Sequence, residues 1–122
     1  MRGEHLNGIV RLHAAGELDL ESTPLLDEAL AAIEALQPTT IILDFHELEF
    51  IDSSGLHALL RAHGRATESG RVLAVINGTD GVRKVFELTS TRHLLELAPS
   101  DAMGPSLQGE WLPVTLPGTA RG

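Results

Sequence analysis

A carboxylate, two hydroxyls and a glycine stand together at Asp52-Ser53-Ser54-Gly55, between Glu49-Phe50-Ile51 and Leu56. An apolar run, Ile41-Ile42-Leu43, precedes them, and Leu56, Leu59, Leu60 and His63 follow at helical spacing. The block therefore reads as a strand-to-helix turn with small polar side chains at a helix N-terminus. Two readings stay open at this point. In one, Asp52 or Ser53 simply caps the helix by accepting its free amides. In the other, the amides and the helix dipole favour a phosphate carried on a serine. A phosphoserine adds about −1.5 to −2 charges without breaking the helix, so its effect falls mainly on a partner. One unit like-charge contact at about 6 Å, with an effective dielectric near 20, costs roughly 3 kcal/mol. That is roughly a hundredfold in affinity. Asp44, Glu47, Glu49 and Asp52 lie close in sequence, so the added charge is expected to enlarge an acidic patch.

Other chemistries fit the residues less well. A serine hydrolase needs Ser53 or Ser54 as nucleophile and a histidine base. The Gly-x-Ser-x-Gly elbow is absent, and His13, His46 and His93 are scattered. The chain has 6 His, which raises the question of metal. His57 and His63 fall on different faces of a helix at about 100° per residue. Arg61 occupies the i+4 position from His57, so the paired clasp for zinc is missing. His63 lies on the apolar stripe and reads as a core or boundary residue. The Gly-x-x-x-x-Gly-Lys-Ser/Thr loop is absent, and Gly78-Thr79-Asp80-Gly81 is too short to cradle phosphates. Arg83 and Lys84 read as a solvated face. No cofactor and no metal are expected.

The elements that position the turn follow from periodicity. Ile9-Val10-Arg11-Leu12-His13-Ala14 reads as the first convincing strand, followed by a turn at Gly16-Glu17-Leu18-Asp19. Thr23 before Pro24 predicts an N-cap, with Asp27 and Glu28 in the first helical turn beside the positive end of the dipole. Leu26, Ala29, Leu30, Ile33 and Leu36 predict the buried stripe of that helix, and Pro38 closes it. Ile41-Ile42-Leu43 with Phe45 predicts a central strand covered on both faces. The helix after Asp52 runs to about Thr67, with Gly70 at its C′ position. Val72-Leu73-Ala74-Val75-Ile76 predicts another buried strand, and Asn77-Gly78 a turn. Asp80 is expected to cap a third helix with Val82, Val85 and Phe86 inward, and Leu94-Leu95-Glu96-Leu97 is a short strand or a helical turn. From Pro99 onward, Gly104, Pro105, Gly109, Pro113, Pro117 and Gly118 predict a loosely ordered tail. Within it Trp111 is placed to dock on the domain, and Val114 and Leu116 to add an edge contact. Strands alternating with amphipathic helices imply an α/β domain with a largely parallel central part.

Composition narrows the function classes. At 122 residues the chain suits one domain that buries roughly two-thirds of its unfolded surface. Its 17 acidic against 9 basic residues, a net charge of −8, lack the basic footprint of a nucleic-acid binder. With 3 Phe, 1 Trp and no Tyr there are few rings for stacking on bases. The absence of cysteine removes thiolate nucleophiles and Cys-based metal sites. Met1-Arg2-Gly3-Glu4-His5 has no apolar h-region, and no apolar run approaches a membrane span. The expected setting is the cytoplasm, with no nucleic acid and no direct membrane insertion.

The order of these motifs is similar to that of STAS domains, the fold of bacterial anti-sigma factor antagonists. Ala15-Gly16-Glu17-Leu18-Asp19 resembles the family's Gly-Glu-Leu-Asp turn. Ile42-Leu43-Asp44-Phe45, the block from Phe50 to Leu56 around Asp-Ser-Ser-Gly, and Gly70-Arg71-Val72-Leu73 follow in the family's order. Val82-Arg83-Lys84-Val85-Phe86-Glu87-Leu88-Thr89 continues it, and the likeness covers roughly residues 8 to 98. The resemblance implies a single STAS domain over residues 1–100: a mixed sheet of about four strands with amphipathic helices, and an irregular Gly/Pro-rich tail over 101–122. It also implies a mechanism. The unphosphorylated antagonist binds an anti-sigma factor that is a Ser/Thr kinase, and so frees the sigma factor for transcription. The kinase, using ATP and magnesium, phosphorylates the serine in this turn and the complex parts. A metal-dependent phosphatase resets it. The acceptor carries over to Ser53, with Ser54 as fallback. Asp19, Asp52, Ser53, Ser54, Gly55 and Leu56 form the switch surface, on which Asp52 orients the hydroxyl and Gly55 admits partner backbone. The chain is then a substrate and ligand, not an enzyme. The alternative on the same fold is a regulatory subunit of a lipid-transfer or transporter assembly.

Three features depart from the family pattern. Gly3 to Asn7 leaves little room for a first strand, Thr89-Ser90-Thr91 stands where Thr-Gly-Leu is usual, and Gly104-Pro105 cuts off a final helix.

Overall fold

A computed structural model describes residues 1–76, 80, 82, 84–85, 96–98 and 109–117. It opens on a hairpin. Strand β1, Arg2–Leu6, pairs antiparallel with β2, Ile9–Leu18. Asn7 and Gly8, at φ 49° and 80°, make the two-residue turn, whose left-handed residues match strand twist. The N-terminus thus does hold a first strand, contrary to the sequence expectation. A two-residue turn uses so little chain that five residues remain to pair. β2 also runs further than expected. Gly16-Glu17-Leu18 is its bulged end, with Gly16 at φ 80°, so the turn begins only at Asp19.

Helix α1, Thr23–Glu34, has Ser22 rather than Thr23 at its N-cap, and Thr23 is buried. Asp27 and Glu28 consequently fall beyond the first turn, which holds no acid. Leu26, Ala29, Leu30 and Ile33 form the buried stripe. Leu36 does not belong to it and is 57% exposed, because the helix has already ended and the chain reverses at Gln37, φ 54°. Helix α2, Ser53–Ser69, and strand β4, Val72–Ile76, follow as the apolar runs indicate, whereas strand β3, Thr40–Ile51, runs past Phe45 up to the Asp52 turn. Gly70, at φ 70°, ends α2 in the left-handed C′ position. Asp80, Val82, Lys84 and Val85 are helical, with Val82 in the core; Phe86 lies outside the described residues. β5, Glu96–Ala98, resolves the final element as a strand, and β6, Leu112–Val114, adds another.

The sheet has six strands in the order β5-β4-β3-β2-β1-β6, two more than expected. β2, β3, β4 and β5 are parallel, whereas β1 and β6 are antiparallel additions at one side. Alternation along the strands turns Val10, Leu12 and Ala14, and Ile41, Leu43 and Phe45, into one core with α1 and α2. Each such Leu or Ile contributes about 1.5–3 kcal/mol on burial. The alternate residues Arg11, His13 and Asp44 fall on the other face. The tail is not loose where it is described: Val114 packs against the core and Leu116 is buried in it.

Candidate functional site: the start of helix α2

β2 and β3 end side by side, with Leu18 opposite Ile51. The next residues, Asp19 and Asp52, therefore lie at the carboxyl edge of the parallel strands, where α/β sheets present their loops. The Asp52 amide donates to the Leu18 carbonyl at 3.0 Å, which locks the second turn to the first. Asp52 is extended and caps α2, its Oδ1 accepting from the amides of Ser54 at 2.9 Å and Gly55 at 3.2 Å. This leaves Ser53. It is exposed, and no described residue hydrogen-bonds its amide or its hydroxyl. Ser54 is half-buried. Of the two hydroxyls, that of Ser53 is the one an outside reagent meets first, and its own N–H remains open for an added oxyanion.

Gly55 and Leu56 face inward. A Cβ on Gly55 would lie 2.9 Å from Ile51 Cγ1 and 3.0 Å from the Leu18 carbonyl oxygen. The close backbone approach at Gly55 is thus to its own chain, where it seats α2 on the strand ends. Leu56 is buried in the core. Both position the turn and leave Asp52, Ser53 and Ser54 to face outward.

Asp19 sits in a second polar loop. Its Oδ1 accepts from the Ser22 amide at 2.9 Å and the Glu21 amide at 3.1 Å, and meets the Ser22 hydroxyl at 2.9 Å. The Ser22 amide and hydroxyl hold its carboxyl below the usual value. Leu20 (78% exposed) and Phe50 (47%) stand unshielded beside the two turns, with Glu17 next to Phe50 in register. Glu21, Glu47 and Glu49 are exposed as well. Leu20 and Phe50 carry no signal in the sequence, since exposure of a strand-end residue depends on what packs over it.

Asp44 is not part of this acidic surface. It is 5% exposed on the sheet's other face, where Oδ1 accepts from His46 Nδ1 at 2.7 Å and Oδ2 lies 3.4 Å from His13 Nδ1 and 3.8 Å from Arg11 Nε. Burial, invisible to closeness in sequence, sets it apart from the exposed Glu47 and Glu49. Burial pushes its carboxyl up, but the His46 hydrogen bonds and the charges of His46 and His13 outweigh this and leave it lowered. His13 also meets Glu4 Oε1 at 2.9 Å. These two histidines are committed to Asp44 and Glu4, and no described histidine hydrogen-bonds Ser53 or Ser54. His57 is exposed, His63 half-buried at the core boundary, and His93 lies outside the described residues, as do residues 89–91. Among the described residues no group of three His, Asp or Glu side chains is arranged for a metal, and no helix is long and apolar enough to cross a membrane.

Comparison with known proteins matches residues 2–102 to the STAS domain profile. The anti-sigma-F factor antagonist RsfB of Mycobacterium tuberculosis is 32% identical over 95 residues, which are 71% of this chain and 78% of RsfB. A crystal structure of an anti-sigma factor antagonist from Mycobacterium paratuberculosis superposes with a TM-score of 0.76 at 24% identity, covering 84% of this chain and 90% of that one. The anti-sigma factor antagonist SpoIIAA, solved in its unphosphorylated form, gives 0.65 at 25% identity over 83% and 90% of the chains.

Proposed function

The chain belongs to the STAS domain family, and from that premise we propose that it is an anti-sigma factor antagonist switched by phosphorylation of Ser53. The observation that carries the reading is the unequal use of the first turn of α2. Asp52 takes the Ser54 and Gly55 amides, while the Ser53 hydroxyl and amide stay open on an exposed residue. A phosphate there has an amide of its own and the positive end of the helix dipole beneath it.

In the unphosphorylated state the turn, with Leu20 and Phe50 exposed beside it, docks on an anti-sigma factor that is also a Ser/Thr kinase. That protein supplies the ATP and magnesium chemistry; this chain supplies the acceptor oxygen. Phosphate transfer adds about −1.5 to −2 charges beside Asp52, and repulsion of about 3 kcal/mol per close contact parts the complex. Because Gly55 and Leu56 fix the helix start to the core, the charge changes the surface and not the fold. A metal-dependent phosphatase restores the acceptor. The chain acts in the cytoplasm as substrate and ligand, not as an enzyme.

Incubation with the cognate kinase and ATP, followed by peptide mass spectrometry, tests this. Phosphate is expected on Ser53, lost in Ser53→Ala and kept in Ser54→Ala. The opposite pattern moves the acceptor to Ser54, and no labelling of the intact chain removes the switch.

A further inference from the structure

Residues 109–117 lie beyond the stretch matched to the STAS profile, which ends at residue 102, yet they close one side of the sheet. β6 runs antiparallel to β1, with Gly3 opposite Val114 and His5 opposite Leu112. The two-residue Asn7-Gly8 turn makes Leu6 and Ile9 the hydrogen-bonded pair at the head of the hairpin, and bonded pairs alternate from there. Glu4 and Arg2 therefore bond toward β2, and the N–H and C=O groups of Gly3 and His5 point away from it. β6 takes up that outward row. Pro113 falls opposite Glu4, with its missing donor directed out of the sheet. An open edge is thereby exchanged for a blunt one.

Two side chains anchor this short strand. Leu116 is 2% exposed and enters the core beside Gly3, where a Cβ would come within 3.3 Å of Leu116 Cδ1. Gly3 is thus the notch that admits Leu116. On the opposite face the Trp111 ring lies 5.3 Å from the Arg11 guanidinium. Between the anchors, Leu112 and Pro113 are exposed.

We propose that residues 109–117 are a strap guarding the β1 edge, and that the partner it keeps off is a second copy of this chain. A bare β1 presents the same outward groups on every copy. Two such edges are self-complementary about a two-fold axis. Release of Leu116 also uncovers core surface beside the same edge, which pairing would cover again.

The chain's 1 tryptophan makes Trp111 emission a direct reading of the strap. In the full chain, Leu116→Asp is expected to shift that emission to the red with circular dichroism retained. Sedimentation velocity should then show a species of twice the mass that grows with concentration. Gly3→Val fills the notch from the other side and is expected to give the same two changes, so it decides the matter if Leu116→Asp does not fold. Adding His5→Pro, which removes an outward N–H of β1, returns the released chain to a monomer. Emission unmoved in the folded variants, a released strap without association, or association that survives His5→Pro each overturns the proposal. So does an intact chain whose own association is lost on His5→Pro.

Discussion

Helices α1 and α2 each start from an aspartate at the end of neighbouring strands, but their serines have opposite fates. At α1, Asp19 binds the Ser22 amide, and the Ser22 hydroxyl lies 2.8 Å from the Glu17 carbonyl and 2.9 Å from the Asp19 carboxylate. That hydroxyl also accepts from the Asp19 amide at 3.0 Å. At α2, Asp52 satisfies two amides alone and Ser53 remains without a described partner. The same residue types therefore build a closed polar loop in one place and an open acceptor in the other. The difference is register. Ser22 lies three residues after its aspartate, within reach of the loop it closes, whereas Ser53 follows its aspartate directly and points outward from the first helical turn.

Substitutions that exchange these fates test the comparison. Ser53→Asp is expected to have the largest effect, weakening kinase binding by up to about a hundredfold with thermal stability nearly unchanged. Titration calorimetry against the cognate kinase checks it, and equal binding by mutant and wild type would show that the partner does not read charge at the turn. Gly55→Ala should come next. Its methyl would press on the Leu18 carbonyl, which belongs to backbone and yields little, so a loss of about 1–3 kcal/mol in denaturant unfolding is expected. Ser22→Ala should cost only about 1 kcal/mol, the usual net worth of a hydrogen-bonded hydroxyl, and should leave labelling of Ser53 intact. Loss of labelling there would mean that the two loops act as one site.

The smallest effect concerns acid. A carboxyl whose folded-state pKa is lowered adds stability above its unfolded value and loses it as pH falls through the folded one. The stability gap between wild type and Asp19→Asn should therefore be full at neutral pH, narrow as pH drops past the ordinary 3.8, and close below the folded-state pKa. Melting curves across that window measure it. A gap independent of pH would assign the effect to shape and not to the carboxylate.

Local pattern carried a large part of this. The stripe Leu26, Ala29, Leu30, Ile33, the runs of β3 and β4, the Gly70 stop and the Asp52 cap are all decided within a few residues of chain, so periodicity and turn chemistry sufficed. β1 escaped because Arg2-Gly3-Glu4-His5-Leu6 has no apolar alternation and is a strand only through its partners β2 and β6. Leu36 and Asp44 depart from expectation for a related reason. Spacing along the chain does not say where a helix stops or which sheet face a carboxylate takes.

From the sequence alone came the elements of the parallel core and a capped helix start bearing two hydroxyls, because propensity, capping and hydrophobic period act over short distances. Tertiary structure decided the rest. It exposed Ser53 above Ser54, turned Gly55 and Leu56 inward against Leu18 and Ile51, removed Asp44 to the far face, and brought Leu116 across the chain to Gly3. Gly55 against Leu18 and Leu116 beside Gly3 are contacts between residues distant in sequence, and only the folded chain brings such pairs together.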